Sequence, residues 1–539
     1  MSETLDVLEK RWSIASKLLF GQETRSLSEC EKWLTEFIEP ISFHKSSISG
    51  KEVISAPTDY CGGASWLSLE EVDFNKKFNP VGINDVKDID SLVSAISERL
   101  SYSGNVVFGN SGHIERSSNL NDSHYIYGVG RHGNSKYVAY CTVGRLNEDC
   151  FGCNGIGESQ FCIKGSRTHR CKRCFETWMC LNSQDCYYSS ALENCSECMF
   201  SFDLLNRRHC IGNLELPLDK YKAIKEKLKE EMAQKLTKDC RLPTLVGILA
   251  GTKAAKPKIE LGKQPAEEIY DKARIEASFL QTTKLLFGKP LEGGIDKYAK
   301  WLMRHTHPIL EGKSAASGKT LVMPSAQNYP RLPKDRLLTK AEGLEFGAKN
   351  SISATDAESL TLSNAGAKIS PIAFFNIEFV EGKNRNNIEC AVCFESSDNY
   401  RNSMTFYTKK SGYNYWPRDS ESLFGTDSPF TSQFSINIYS CTNQVRCFEI
   451  DCCGFCSDSY FLHNCENMRE SMFCFGVKNR KNCIGNAELP PDAYKKLKDN
   501  LVSQMHDELS KKKDLKWDIY NIGCAGKKNE RETLKQLLQ

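Results

Sequence analysis

The chain has no uninterrupted apolar run of the ~18 residues that a membrane-crossing helix needs, so no helical span is expected. Its opening, Met1 to Trp12, carries acids and no apolar stretch, so no secretory leader is expected either. A dominant charge is missing too. Net charge is only +3, so no global field would recruit nucleic acid or an anionic membrane, and any such binding needs a local patch. The 10 histidines form no His-Glu-x-x-His pair and no Gly-x-Ser-x-Gly elbow is present. Gly318-Lys319-Thr320 ends like a phosphate-binding loop, but Gly312 lies one residue too far upstream and strand-like Leu321-Val322-Met323 follows. Scattered Asp and Glu read as solvated surface carboxylates. With no catalytic constellation, the chain is read as non-enzymatic.

What is abundant is cysteine, 25 residues, and repetition. Disulfide scaffolds are short and exported, whereas 539 residues exceed one compact core. The thiols are therefore expected to be reduced and the location cytoplasmic. The two halves align with an offset that drifts only from 267 to 273. Ser16 to Gly21 matches Thr283 to Gly288, Lys32-Trp33-Leu34 matches Lys300-Trp301-Leu302, and Asn206 to Asn213 matches Asn479 to Asn486. Across 185–217 and 458–490, 17 of 33 positions are identical without a gap. This is an internal duplication, joined by a Lys/Gly/Pro-rich linker over 251–266.

Each copy opens with helical periodicity. In copy one Val7, Leu8, Trp12, Ala15, Leu18 and Leu19 share a stripe, and Gly21 or its counterpart Gly288 suits a helix C-terminus. Ser28 with Glu31 predicts a capping box for a second helix reaching Phe37. Cysteines then fall at 141, 150, 153; at 162, 171, 174; at 186, 195, 198; and at 210. The spacing is nine then three within a set, and 21, 24 and 24 between sets. A repeat of that length, rich in β-branched, aromatic, Gly, Asn and Ser residues, predicts one β-solenoid coil per repeat, with coils stacked about 4.8 Å apart. A helix follows in each copy. Its stripe is Tyr221, Ile224, Leu228, Met232 and Leu236, or Tyr494, Leu497, Leu501, Met505 and Leu509, and it reads as a cap over the open end. The expected class is α+β. Each copy would be an N-terminal helical or mixed region, 1–136 or 267–430, then a short Cys-rich β-solenoid and capping helix, 137–250 or 431–539.

Six cysteines, Cys150, Cys153, Cys171, Cys174, Cys195 and Cys198, form Cys-x2-Cys pairs, and the first two pairs have zinc-ribbon separation. The duplication tests that reading. In copy two Cys162 becomes Ser435, Cys171 Gln444, Cys186 Ser459, Cys195 Met468 and Cys198 Ser471. A metal site does not survive such exchanges at its ligands. A buried ladder does, because free cysteine behaves as a small hydrophobe. The ladder is favoured and no cofactor is expected, with zinc bound by copy one as the alternative. One basic cluster stands out: Lys164, Arg167, His169, Arg170, Lys172 and Arg173, with aromatics on either side. It reads as a surface loop or, alternatively, as a site for phosphate or single-stranded nucleic acid.

Each repeat block ends in Cys-Ile-x-Asn, then Tyr and a Lys-rich helix. The residues are Asn206, Cys210, Ile211, Asn213 and Tyr221, and again Asn479, Cys483, Ile484, Asn486 and Tyr494. This ending resembles cysteine-rich repeat proteins from the genomes of uncultured prokaryotes and large phages. The resemblance omits the helical parts. It implies no activity, and it implies a virion as one setting. The function expected is a structural or assembly protein presenting two solenoids to a protein partner or to further copies within a larger particle. The alternative is a zinc-dependent nucleic-acid-binding module centred on copy one. No membrane partner is expected.

Overall fold

A computed structural model describes residues 2–82, 86–262 and 269–526. The chain forms two compact units. The first comprises Met1–Ile41, Val107–Ala266 and Leu310–Phe379; the second comprises Ser42–Val106, Glu267–Ile309 and Val380–Gln539. Each unit therefore takes its opening helix and its cysteine-rich part from one copy and an intervening segment from the other.

In the first unit, the helix Glu3–Phe20 is capped by Ser2, whose hydroxyl accepts the Leu5 N–H, and stops at Gly21 with φ of 83°. The second helix spans only Glu31–Leu34. The expected Ser28 cap does not form, because Glu9 on the first helix accepts both the Ser28 N–H and its hydroxyl, at 3.0 and 2.8 Å. The chain then enters a parallel sheet and alternates between two rows of short strands. One row runs through His124–Tyr127, Lys136–Ala139, Glu148–Phe151 and Gln160–Ile163; the other runs through Ser118–Asn121, Gly130–Gly133, Thr142–Arg145 and Asn154–Gly157. Lys172–Trp178 pairs with both rows and joins them into one curled path of twelve strands. Neighbours in each row are twelve residues apart, as in Val138 with Cys150 and Cys198 with Cys210. One lap of the ladder is thus twelve residues.

The backbone explains the lap. From His113 to Gly212 every third residue has positive φ, most of them not glycine. A left-handed residue costs on the order of 1–3 kcal/mol. Many such corners send their N–H to a carbonyl of the previous lap: that of Tyr140 reaches the Tyr127 carbonyl and that of Lys164 the Phe151 carbonyl, both at 3.0 Å. From Ser117 to Leu204 the residue one place after each corner points inward. The interior is so narrow that Cys, Ser, Thr, Val, Ile, Leu, Asn and Gly line it almost throughout.

The expected α+β arrangement, with a short Cys-rich β-solenoid and a capping helix in each copy, is overturned. The class is mixed α/β. The curled parallel sheet begins at Val107, within the stretch expected to be helical or mixed, and the first unit borrows Leu310–Phe379 from the other copy. The 24-residue beat is two laps, not one coil. It misled because cysteines and aromatics mark the columns unevenly, and because the first laps carry Ser, Asn, Gly and His instead. The helix Leu218–Asp239 buries Tyr221, Ile224, Leu228, Met232 and Leu236, but it packs along the first helix as well as against Arg208–Ile211.

The second unit repeats the plan. Its main sheet has ten strands, from Arg385–Ile388 to Ala487–Glu488, again with parallel neighbours twelve apart through most of its length. Helix Lys272–Phe287 lies on it as Glu3–Phe20 lies on the first, and the ring contacts are duplicated. Trp12 meets Phe151 at 5.3 Å and Phe279 meets Phe424 at 5.2 Å; Phe20 meets Phe175 at 5.1 Å and Phe287 meets Phe448 at 5.2 Å, all edge to face. Such pairs contribute about 0.5–1.5 kcal/mol each beyond burial. Cys61 and Cys524, both in this unit, are joined by a disulfide.

Candidate functional site

The inward cysteines occupy defined columns. Cys150, Cys162, Cys174, Cys186, Cys198 and Cys210 are successive rungs of one column, and all are buried. Cys153 lies in the next column with Cys141. Cys171 and Cys195 lie in a third, with Ser183 between them. The six residues of the Cys-x2-Cys reading are therefore spread along three columns and over several laps. Among the described residues, no group of three or more His, Cys, Asp or Glu side chains is placed to hold a metal ion.

Serine and cysteine interchange here for a hydrogen-bonding reason. The Cys141 thiol donates to the carbonyl of Ala139 at 3.3 Å and accepts the N–H of Cys153, one lap on, at 3.2 Å. Ser435, which stands where copy one has Cys162, donates to the Gln433 carbonyl at 2.8 Å and accepts the Cys447 N–H at 3.0 Å. An inward side chain with one short polar atom therefore satisfies the N–H of the inward residue one lap on. Burial pushes the Cys141 and Cys180 thiols above the ordinary cysteine range, so these hold their protons.

The basic cluster does not form one patch. Lys164, Arg167, Arg170 and Arg173 occupy successive corners, so each leaves the ladder in a different direction. Lys164 is buried, donates to the Trp33 carbonyl at 2.8 Å and lies over Phe37; burial lowers its pKa. Arg167 is buried over the ring of Phe379. His169 and Arg170 both meet Glu158, at 3.3 and 3.1 Å, and Arg173 makes a bidentate bond to Asp185. Lys172 is exposed.

A face of the second unit stands out. A shallow groove of about 530 Å³ is lined by Asn443, Arg446, Phe455, Asp458, Asn467 and Arg469, among others. Phe455 sits at a corner with φ of 55° and is 58% exposed. Arg446 grips Asp458 through two bonds of 2.6 and 2.7 Å, and Asn467 donates to Asn479 on the next lap at 2.8 Å. In the first unit the corresponding positions carry Arg170, Arg173, Asn182, Asp185, Asn194 and Ser196, so Asn182 replaces the exposed ring.

Sequence reasoning missed a buried polar cluster in the second unit. His463 Nδ1 donates to Asp451 at 2.8 Å, and its Nε2 accepts the Ser103 N–H at 2.9 Å, so the ring is neutral. Tyr60 donates to the same carboxylate at 2.5 Å. Nearby, Glu449 accepts from Asn437 and from the Ile519 N–H, and burial pushes it up to about 7. Burial opposes a charge on His305, but Asp518 and Asp59 outweigh it and lift the imidazole to about 10. Asp451 and His463 are both fully buried, and both ring nitrogens are occupied, so the pair holds segments together and offers no base to a substrate. The first unit has Trp178 and Ser190 at these two places. That divergence was the available signal, and a comparison confined to cysteines does not reach it.

Comparison with known protein families, with curated proteins and with solved structures finds no match. No helix among the described residues is long and apolar enough to cross a membrane.

Proposed function

We propose that the chain is a non-enzymatic structural or assembly protein, and that the grooved face of the second unit docks a further copy of the chain within a larger assembly. The observation that carries this reading is Phe455. A large ring 58% exposed in the lining of a groove, together with Arg446, Asp458, Arg469 and Lys481, has the make-up of an interface anchor with a polar rim. The face also presents equivalent positions every twelve residues, which suits a partner that is itself repetitive.

Static light scattering across a concentration series tests it. The unaltered chain is expected to form particles of regular mass above that of one chain. Phe455→Asn, which installs the residue of the first unit, is expected to weaken association by about 2 kcal/mol, or roughly thirtyfold. A strictly single-chain mass at every concentration, or assembly indifferent to Phe455→Asn, would sink the proposal.

A further inference from the structure

Two free thiols of the first unit stand apart from the inward columns. Cys30 opens the short helix Glu31–Leu34 and is fully buried. Cys240 closes the long helix Leu218–Asp239 with φ of 49°, and it is partly exposed. The two thiols lie close enough to interact electrostatically, although 210 residues separate them in the chain.

The backbones carrying them are held in register by three side-chain bonds. Arg25 Nε donates to the Thr237 carbonyl at 2.8 Å, Trp33 Nε1 donates to the Leu242 carbonyl at 3.1 Å, and Arg241 donates to Glu36 at 2.6 Å. These contacts bracket the thiol pair on both sides. A cross-link between the two sulfurs would therefore fix segments that are already fixed, and little backbone movement opposes it. A cleft of about 650 Å³, lined in part by Asp239 and Arg241, runs past the neighbours of Cys240 and gives a small oxidant access.

We propose that Cys30 and Cys240 are a thiol-modification site that a peroxide converts to a reversible disulfide, stapling the N-terminal helical region to the end of the long helix. Hydrogen peroxide oxidises the accessible Cys240 to a sulfenic acid, with cleavage of the O–O bond and release of one water. The Cys30 sulfur then attacks the Cys240 sulfur, the hydroxyl leaves with the Cys30 proton as a second water, and the S–S bond forms. Burial and its neighbour Cys240 push the Cys30 thiol up to about 12, which assigns the first step to Cys240 and the second to Cys30. The column cysteines take no part, because their sulfurs are enclosed between laps.

The test is peptide mapping of the full chain by mass spectrometry after treatment with hydrogen peroxide and alkylation of the remaining thiols. The expected result is a cross-linked peptide joining Cys30 to Cys240 that dithiothreitol releases, with the column cysteines still alkylated after unfolding. Cys30→Ser is expected to leave Cys240 as a sulfenic acid that dimedone traps, and Cys240→Ser to abolish the link. If Cys30→Ser does not fold, the mapping of the unaltered chain and of Cys240→Ser decides alone. Cys240 modified without a link to Cys30, or linked to another cysteine, overturns the proposal.

Discussion

At the scale of single residues, this protein substitutes by size and by one polar atom. The inward position accepts Ser or Cys because each donates to a carbonyl two residues back and accepts an N–H one lap on. Cys162→Ser is thus expected to shift stability by no more than about 1 kcal/mol, since the hydroxyl repeats the bonds that Ser435 makes. Cys162→Leu keeps the apolar character but overfills a narrow interior, and is expected to cost about 1–3 kcal/mol. Urea unfolding midpoints of the two variants separate a size rule from a hydrophobicity rule. Asp451 answers to a different constraint. Asp451→Leu leaves the Tyr60 hydroxyl and the His463 N–H buried without an acceptor, at about 1–3 kcal/mol each. Trp178→Leu in the first unit removes one donor from Glu176, which keeps the Leu245 N–H, so it is expected to cost less for its polar part. Equal polar costs, after correction for side-chain volume, would refute the assignment.

At the scale of elements, two buried carboxyls make stability depend on pH. Glu176 receives the Leu245 N–H at 3.1 Å and the Trp178 indole at 2.9 Å, and burial lifts it to about 7, as it lifts Glu449. A carboxyl raised in the folded state contributes most below its ordinary value near 4.5 and loses that contribution as pH climbs to about 7. Each group accounts for roughly 3 kcal/mol across that window. His305, raised to about 10, acts in the same direction: its contribution is full below 6.5 and lost as pH rises through 10. The chain is expected to unfold at higher denaturant near pH 5 than near pH 8. Glu176→Gln should flatten the lower part of that slope, because one carbonyl oxygen accepts both bonds. A pH-independent midpoint in the unaltered chain would contradict this.

The elements also show what was legible in the sequence. The helix Glu3–Phe20 and its Gly21 stop, the helix Leu218–Asp239 and the stripe it buries, and the duplication itself could all be read from periodicity and self-alignment. The lap could not. Cysteines spaced nine and three sum to twelve, yet they occupy different columns in different laps, so the eye follows the 24-residue beat. The laps before Cys141 contain inward Ser117, Ser123, His132 and Ser135, which carry no apolar alternation. Nor was the candidate face legible. Phe455 lies inside Cys453-Gly454-Phe455-Cys456, between two buried cysteines, and its ring turns outward at a corner of positive φ.

At the scale of the whole molecule, the exchange of segments between copies makes the two halves depend on each other. The first unit is completed by Leu310–Phe379, the second by Ser42–Val106. The borrowed segments are not interchangeable. Arg331 stacks over Phe37, Gln327 sits against Gly155, and buried Arg336 donates to the carbonyls of Ser370 and Ala373. Ser42–Val106 instead brings Tyr60 and the Ser103 N–H to Asp451 and His463. Fragment 1–262 alone carries the second kind of segment beside Trp178 and Ser190, which offer Tyr60 no carboxylate and Ser103 no ring nitrogen. Neither 1–262 nor 263–539 should then unfold cooperatively by itself. Produced together, they are expected to co-purify in equal amounts and, through Cys61 and Cys524, to migrate as one species until reduced. A single half that gives a sharp two-state denaturant transition as a monomer would show that the exchange is not needed to complete the core, because a self-sufficient core is what that cooperativity reports.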